Sequence, residues 1–71
     1  MKVKDLYAVI SQFENIQIFN AKSGEPRTCV DYLADSGTEL WDFEDETVYG
    51  LSAGKDSEGG AFIRIMTEES I

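Results

Sequence analysis

The chain contains no histidine, and Cys29 is its only cysteine. A zinc finger, an iron-sulfur centre and a haem ligated in the usual ways therefore cannot be assembled within one copy, and neither can a Ser-His or Cys-His nucleophile pair. A lone cysteine forms no internal disulfide, which suits a reducing compartment, and its expected place is as a small buried hydrophobe. Basic residues are also scarce, 6 against 14 acidic ones, giving a net charge of -8. DNA, RNA and anionic membranes need a cationic footprint, so direct binding to any of them is excluded as an expectation. No long apolar run occurs, so from the Met-Lys-Val-Lys-Asp opening neither a signal peptide nor a membrane span is expected. The expected location is the cytoplasm.

What remains is enough to fold. Apolar residues make up 42% of the 71 residues and aromatics 11%, too many core formers for a disordered tail. Against a usual domain size of roughly 50 to 250 residues, residues 1–71 read as a single domain. A domain this short is modestly stable and has little room for a deep catalytic cleft.

Val3, Leu6, Ile10 and Phe13, with Val9 beside them, follow helical spacing and predict a helix from Val3 to Phe13. From Ile16 the period changes to two, with Ile16 and Ile18 on one side and Gln17 and Phe19 on the other. Asn20 to Pro26 supplies turn chemistry, and Thr28 to Ala34 alternates again as a second strand. Ser36 to Glu46 is ambiguous. Ser36 and Glu39 match a capping box followed by Leu40 and Phe43, which suggests a helical turn, with a short strand as the alternative. Thr47 to Gly54 reads as a strand with Gly50 as a possible bulge, Lys55 to Gly60 as a turn, and Ala61 to Thr67 as the cleanest strand, with a fraying tail from Glu68. The predicted class is α+β: an N-terminal helix on one face of an antiparallel sheet of about four strands. Ile16, Ile18, Val30, Leu51, Ile63 and Ile65 are the expected helix-facing residues.

Alternation then sends Phe19, Leu33, Phe62, Arg64 and Met66 to the opposite face, a candidate surface for self-association or partner docking. The competing expectation is that Ser36 to Glu46, with Trp41 and Phe43, folds back over that face. Two local motifs fail on inspection. Gly50 to Asp56 has the glycines of a phosphate loop one residue too close and a carboxylate where a hydroxyl is required. Asp56 to Gly60 begins like a calcium loop but lacks its later ligands. No cofactor or metal site is expected, and no shaped pocket is signalled in which a carboxylate could become a general acid, so catalysis is not expected.

The strongest remaining signal is where the charge lies. Between Arg27 and Lys55 there is no basic residue, while Asp31, Asp35, Glu39, Asp42, Glu44, Asp45 and Glu46 are all acidic. One reading is a solvated surface that keeps a small protein soluble. The other is an anionic patch, with Trp41 and Phe43 as apolar anchors, that occupies a basic groove on another protein. Carboxylates two apart on a strand or three to four apart on a helix lie about 5 to 7 Å from one another, the scale of successive phosphates.

The Val-Lys-Asp-Leu opening at Val3, the Ile-Gln-Ile-Phe strand at Ile16, the Lys-Ser-Gly-Glu turn at Lys22 and the Phe-Ile-Arg-Ile-Met strand at Phe62 together resemble the short acidic proteins of phage and prophage genomes. That resemblance of layout implies a binding protein of the anti-defence kind, such as an anti-CRISPR protein or DNA mimic, acting in an infected or lysogenic bacterial host. The partner implied is a host protein with a basic surface. A self-associating structural or assembly module that uses the outer sheet face, such as a homodimer, is the alternative.

Overall fold

The computed structural model describes residues 1–55 and 57–68. Its elements run α1 (Val3–Tyr7), β1 (Ile16–Asn20), a 3-10 helix (Glu39–Phe43), β2 (Thr47–Lys55) and β3 (Ala61–Glu68). The class is α+β, with one short α-helix and a three-stranded mixed sheet in the order β1-β3-β2. β3 pairs antiparallel with β2 and parallel with β1. The expected all-antiparallel sheet of about four strands is corrected on both counts. β3 carries large apolar side chains on both faces, and such a strand gains most from the central position, so the last strand inserts between the other two.

The predicted second strand, Thr28 to Ala34, is present only as one isolated bridge, Ile16 to Asp31, with another, Phe19 to Pro26, at the end of the turn before it. The reasons are local. Pro26 has no N–H to give to a ladder. Thr28 Oγ1 accepts the Ile18 N–H at 3.1 Å in place of a backbone carbonyl, and Asp31 turns its carboxylate onto the Tyr32 N–H at 2.8 Å. The segment still runs along β1, but side chains interrupt its ladder.

The helix is also shorter than its apolar spacing implies. Val9 and Phe13 are exposed, because the sheet offers cover only to Val3, Leu6 and Tyr7, with Ile10 at the margin. The N-terminal N–H groups of α1 find partners in the distant chain: Val3 donates to the Glu46 carbonyl at 2.9 Å and Lys4 to the Glu44 carbonyl at 2.8 Å. This fixes the acidic segment against the helix.

The core lies between α1, the 3-10 helix and one face of the sheet. Val3, Leu6, Tyr7, Ile16, Ile18, Leu33, Leu40 and Ile65 form it, with Ile63 packed against its margin. Four of the six expected helix-facing residues are therefore placed as predicted. Val30 and Leu51 are not: both are exposed, Val30 because its segment is no regular strand and Leu51 because the covering elements stop short of it. Cys29 is likewise exposed rather than buried. The bulge expected at Gly50 is present as a register shift between Val48 and Gly50. Among the described residues no helix is long and apolar enough to cross a membrane. The fraying expected from Glu68 does not begin there, since Glu68 ends β3 and pairs with Lys22; residues 69–71 lie outside the described residues, as does Asp56, which both failed motifs include.

Candidate functional site

The acidic segment is built around a buried anchor. Thr38, not Ser36, caps the 3-10 helix, its hydroxyl accepting the Leu40 N–H at 3.2 Å. Leu40 is fully buried, and its carbonyl accepts the Tyr7 hydroxyl at 2.7 Å. Burial first, and the nearby Glu44 and Glu46 charges second, push the Tyr7 phenol well above the ordinary tyrosine range. Trp41 stands edge-on to the Tyr7 ring, centroids 5.2 Å apart, and remains 44% exposed. The segment therefore closes the α1 side of the core. It does not fold over the opposite sheet face, because Leu40 is buried in the core with Val3, Leu6 and Tyr7.

The seven acids do not form one uniform patch. Glu46 is paired with Arg27, whose Nη2 lies 3.1 Å from Glu46 Oε2 while Nη1 contacts both Glu46 Oε1 and Thr67 Oγ1. The Arg27 guanidinium also lies 4.6 Å over the Phe43 ring. Phe43 and Glu46 thus serve a clamp that ties the loop after β1 to the chain entering β2. Asp45 meets Lys4 Nζ at 3.4 Å, and its carbonyl accepts from Lys2 Nζ at 3.0 Å. Asp35 accepts the Gly37 N–H at 2.9 Å, and Asp31 accepts the Tyr32 N–H. Five of the seven lack a cation within ion-pair distance among the described residues, and of these Glu39 and Asp42 are exposed while Asp31, Asp35 and Glu44 are half-buried. The outward part of the segment is thus Glu39, Trp41 and Asp42, with Glu44 beside them.

The second expected surface, the outer sheet face, is altered more. Leu33 belongs to the core on the other side, 7% exposed, because its segment is not in strand register. Phe62 does point outward, but its ring lies across Gly54, where a Cβ would come within 2.5 Å of the ring, and it is nearly buried. Arg64 lies 5.0 Å from the Phe19 centroid and 5.8 Å from that of Phe62. Phe19, Arg64 and Met66 are half-buried. Two rings and one guanidinium cover this face themselves, made possible by the flat floor of Gly50 and Gly54 on β2.

At the far edge Lys22 Nζ meets Glu68 Oε1 at 2.8 Å. This hydrogen bond, with one from Tyr49, holds the Glu68 carboxyl below its ordinary range and raises the Lys22 and Tyr49 values. The clamp around Arg27 escaped sequence reasoning because its partners stand 19 and 40 residues away, and nothing local to Arg27 announces them. No group of three or more His, Cys, Asp or Glu able to hold a metal occurs among the described residues. No protein-family model, no curated protein and no solved structure matches the chain, so the geometry of these surfaces is what bears on its function.

Proposed function

We propose that this chain is a non-enzymatic accessory protein of phage type that binds a basic surface on a host protein, in particular a nucleic-acid-handling or defence (CRISPR-type) enzyme. The binding group is the outward part of the acidic segment. Glu39 and Asp42 supply charge, and Trp41 supplies an apolar anchor. Asp31, Asp35 and Glu44 extend the negative field around them.

The observation that carries this reading is the exposure of Trp41. A tryptophan held by one edge contact with Tyr7 and left 44% exposed between two carboxylates without a cation partner has the composition of an interface centre with a charged rim. The fold supports the same division of labour, since Leu40, Phe43 and Glu46 hold the segment rigid while their neighbours face outward. Preorganisation of this kind lowers the entropy cost of binding.

The test is capture of a basic partner from bacterial host lysate at low and high salt, with wild type, Trp41→Ala and the double amide variant Glu39→Gln/Asp42→Asn. Binding is expected to fall steeply with salt and with the double variant, and Trp41→Ala is expected to cost about 2 kcal/mol or more. Salt-insensitive binding, or binding unchanged in both variants, sinks the proposal. Glu46 is unsuitable for this test because its loss breaks the Arg27 clamp.

A further inference from the structure

We propose that the open side of β2 docks a second copy of this chain, pairing β2 antiparallel with β2 of its partner to make one six-stranded sheet. The inference is independent of the acidic surface and rests on which backbone groups face outward. Ile63 N–H donates to the Asn15 carbonyl and Ala21 N–H to the Thr67 carbonyl, so residues 63 and 67 of β3 turn their polar groups toward β1. Alternation then turns Phe62, Arg64 and Met66 toward β2, where they meet Gly54, Ser52 and Gly50. Leu51 and Ala53 therefore aim their N–H and C=O groups away from the sheet. Among the described residues nothing accepts or donates to them. At the other end of the strand the edge is already taken, with Val48 N–H bonded to the Met1 carbonyl at 2.8 Å and Lys2 bridged to Thr47.

Edge strands are normally blunted by proline, by charge or by cover. From Tyr49 to Gly54 there is neither a proline nor a charged residue, and Tyr49 and Leu51 are 62% and 53% exposed. The occupant follows from register and charge. A two-fold axis at Ser52 sets Leu51 opposite the partner's Ala53 and Ala53 opposite the partner's Leu51, which satisfies the outward N–H groups of Leu51 and Ala53 in both strands. On a chain of net charge -8, Thr47–Lys55 contains no acid, so two copies repel least along this line. So short a pairing buries less than the roughly 1,200 to 2,000 Å² of a stable interface. The dimer forms at high concentration and dissociates on dilution.

The experiment is sedimentation equilibrium up to about 1 mM protein, with backbone amide shifts followed on dilution and at added salt. The wild type is expected to approach twice the monomer mass, with shifts concentrated at Tyr49 to Lys55, and to associate more strongly as salt screens the net charge. Ala53→Pro removes an outward N–H without touching the bonds to β3, and Leu51→Lys places a charge beside the axis; each is expected to weaken association at least about tenfold while circular dichroism stays that of the wild type. Should Ala53→Pro unfold the chain, Leu51→Lys decides, since its side chain is already half in solvent. A monomer at the highest concentration overturns the proposal and leaves the edge to a foreign strand. A dimer that the folded variants still form, or dilution shifts centred elsewhere, overturns it equally. Neither result bears on salt-labile binding through Trp41, so the two readings stand or fall separately.

Discussion

The two edges of this sheet are managed in opposite ways. Along β1 the chain from Glu25 to Asp31 supplies partners to nearly every outward group: Asn20 N–H to the Glu25 carbonyl, Arg27 N–H to the Ile18 carbonyl, Ile18 N–H to Thr28 Oγ1, and a reciprocal pair between Ile16 and Asp31. Along β2 cover stops at Val48. The difference shows how a short chain protects an edge without a full strand. It spends a loop on one side, pins that loop by a single arginine, and among the described residues has no comparable segment for the other.

Perturbing the pin should have the largest effect. Arg27→Ala removes the partner of a mostly buried Glu46, the contact to Thr67 and the stacking on Phe43, and is expected to cost about 3 kcal/mol in denaturant melts. A loss under about 1 kcal/mol would mean the β1 edge needs no clamp. Next is Thr28→Val, which keeps the shape but leaves the buried Ile18 N–H without its acceptor, at an expected cost of about 1 to 3 kcal/mol. Amide exchange at Ile18 should quicken in that variant while exchange at Ile65 follows only global stability.

Tyr7→Phe touches neither edge and supplies the reference, about 1 kcal/mol for the lost bond to the Leu40 carbonyl. It also carries a pH signature. The folded phenol titrates above its unfolded value of 10.0, so its stabilising effect is complete below about pH 10 and is lost as pH rises further, when the unfolded tyrosine ionises first. The alkaline decline in stability should be shallower in Tyr7→Phe, and an unchanged decline would deny Tyr7 this role. Leu51→Lys on the open edge should leave monomer stability within about 0.5 kcal/mol, the mark of an edge with nothing to lose. The smallest effect is expected at Glu68. Its folded carboxyl lies below the ordinary value, so its contribution is present above about pH 4.5 and fades as pH falls through the folded pKa. Its ion-pair partner Lys22 is exposed to solvent, which makes it a slight slope that Glu68→Gln should flatten.

Sequence periodicity found the strands whose alternation was uninterrupted. Ile16 and Ile18, and Ile63 and Ile65, face the helix as their spacing of two requires. It failed where side chains compete with the backbone. Thr28 and Asp31 alternate correctly on paper but spend their polar atoms on nearby N–H groups, and Leu33 consequently turns to the core instead of the outer face. The same limit applies to charge. The tract from Asp31 to Glu46 is uniformly acidic along the chain, yet Arg27 and Lys4 reach two of its members from outside it. That left Glu39, Trp41 and Asp42 as the outward group, a selection no count of residues makes.

By itself the sequence determined the α+β class, the apolar faces of β1 and β3, the position of the bulge and the excess of negative charge, because each depends on residue type and on spacing of a few positions. Strand order, the parallel pairing of β1 with β3, the burial of Leu40 and the Arg27 clamp were decided only in three dimensions. Those features depend on which distant segments compete for one small core, and in a chain this short a single covering loop decides which edge is closed.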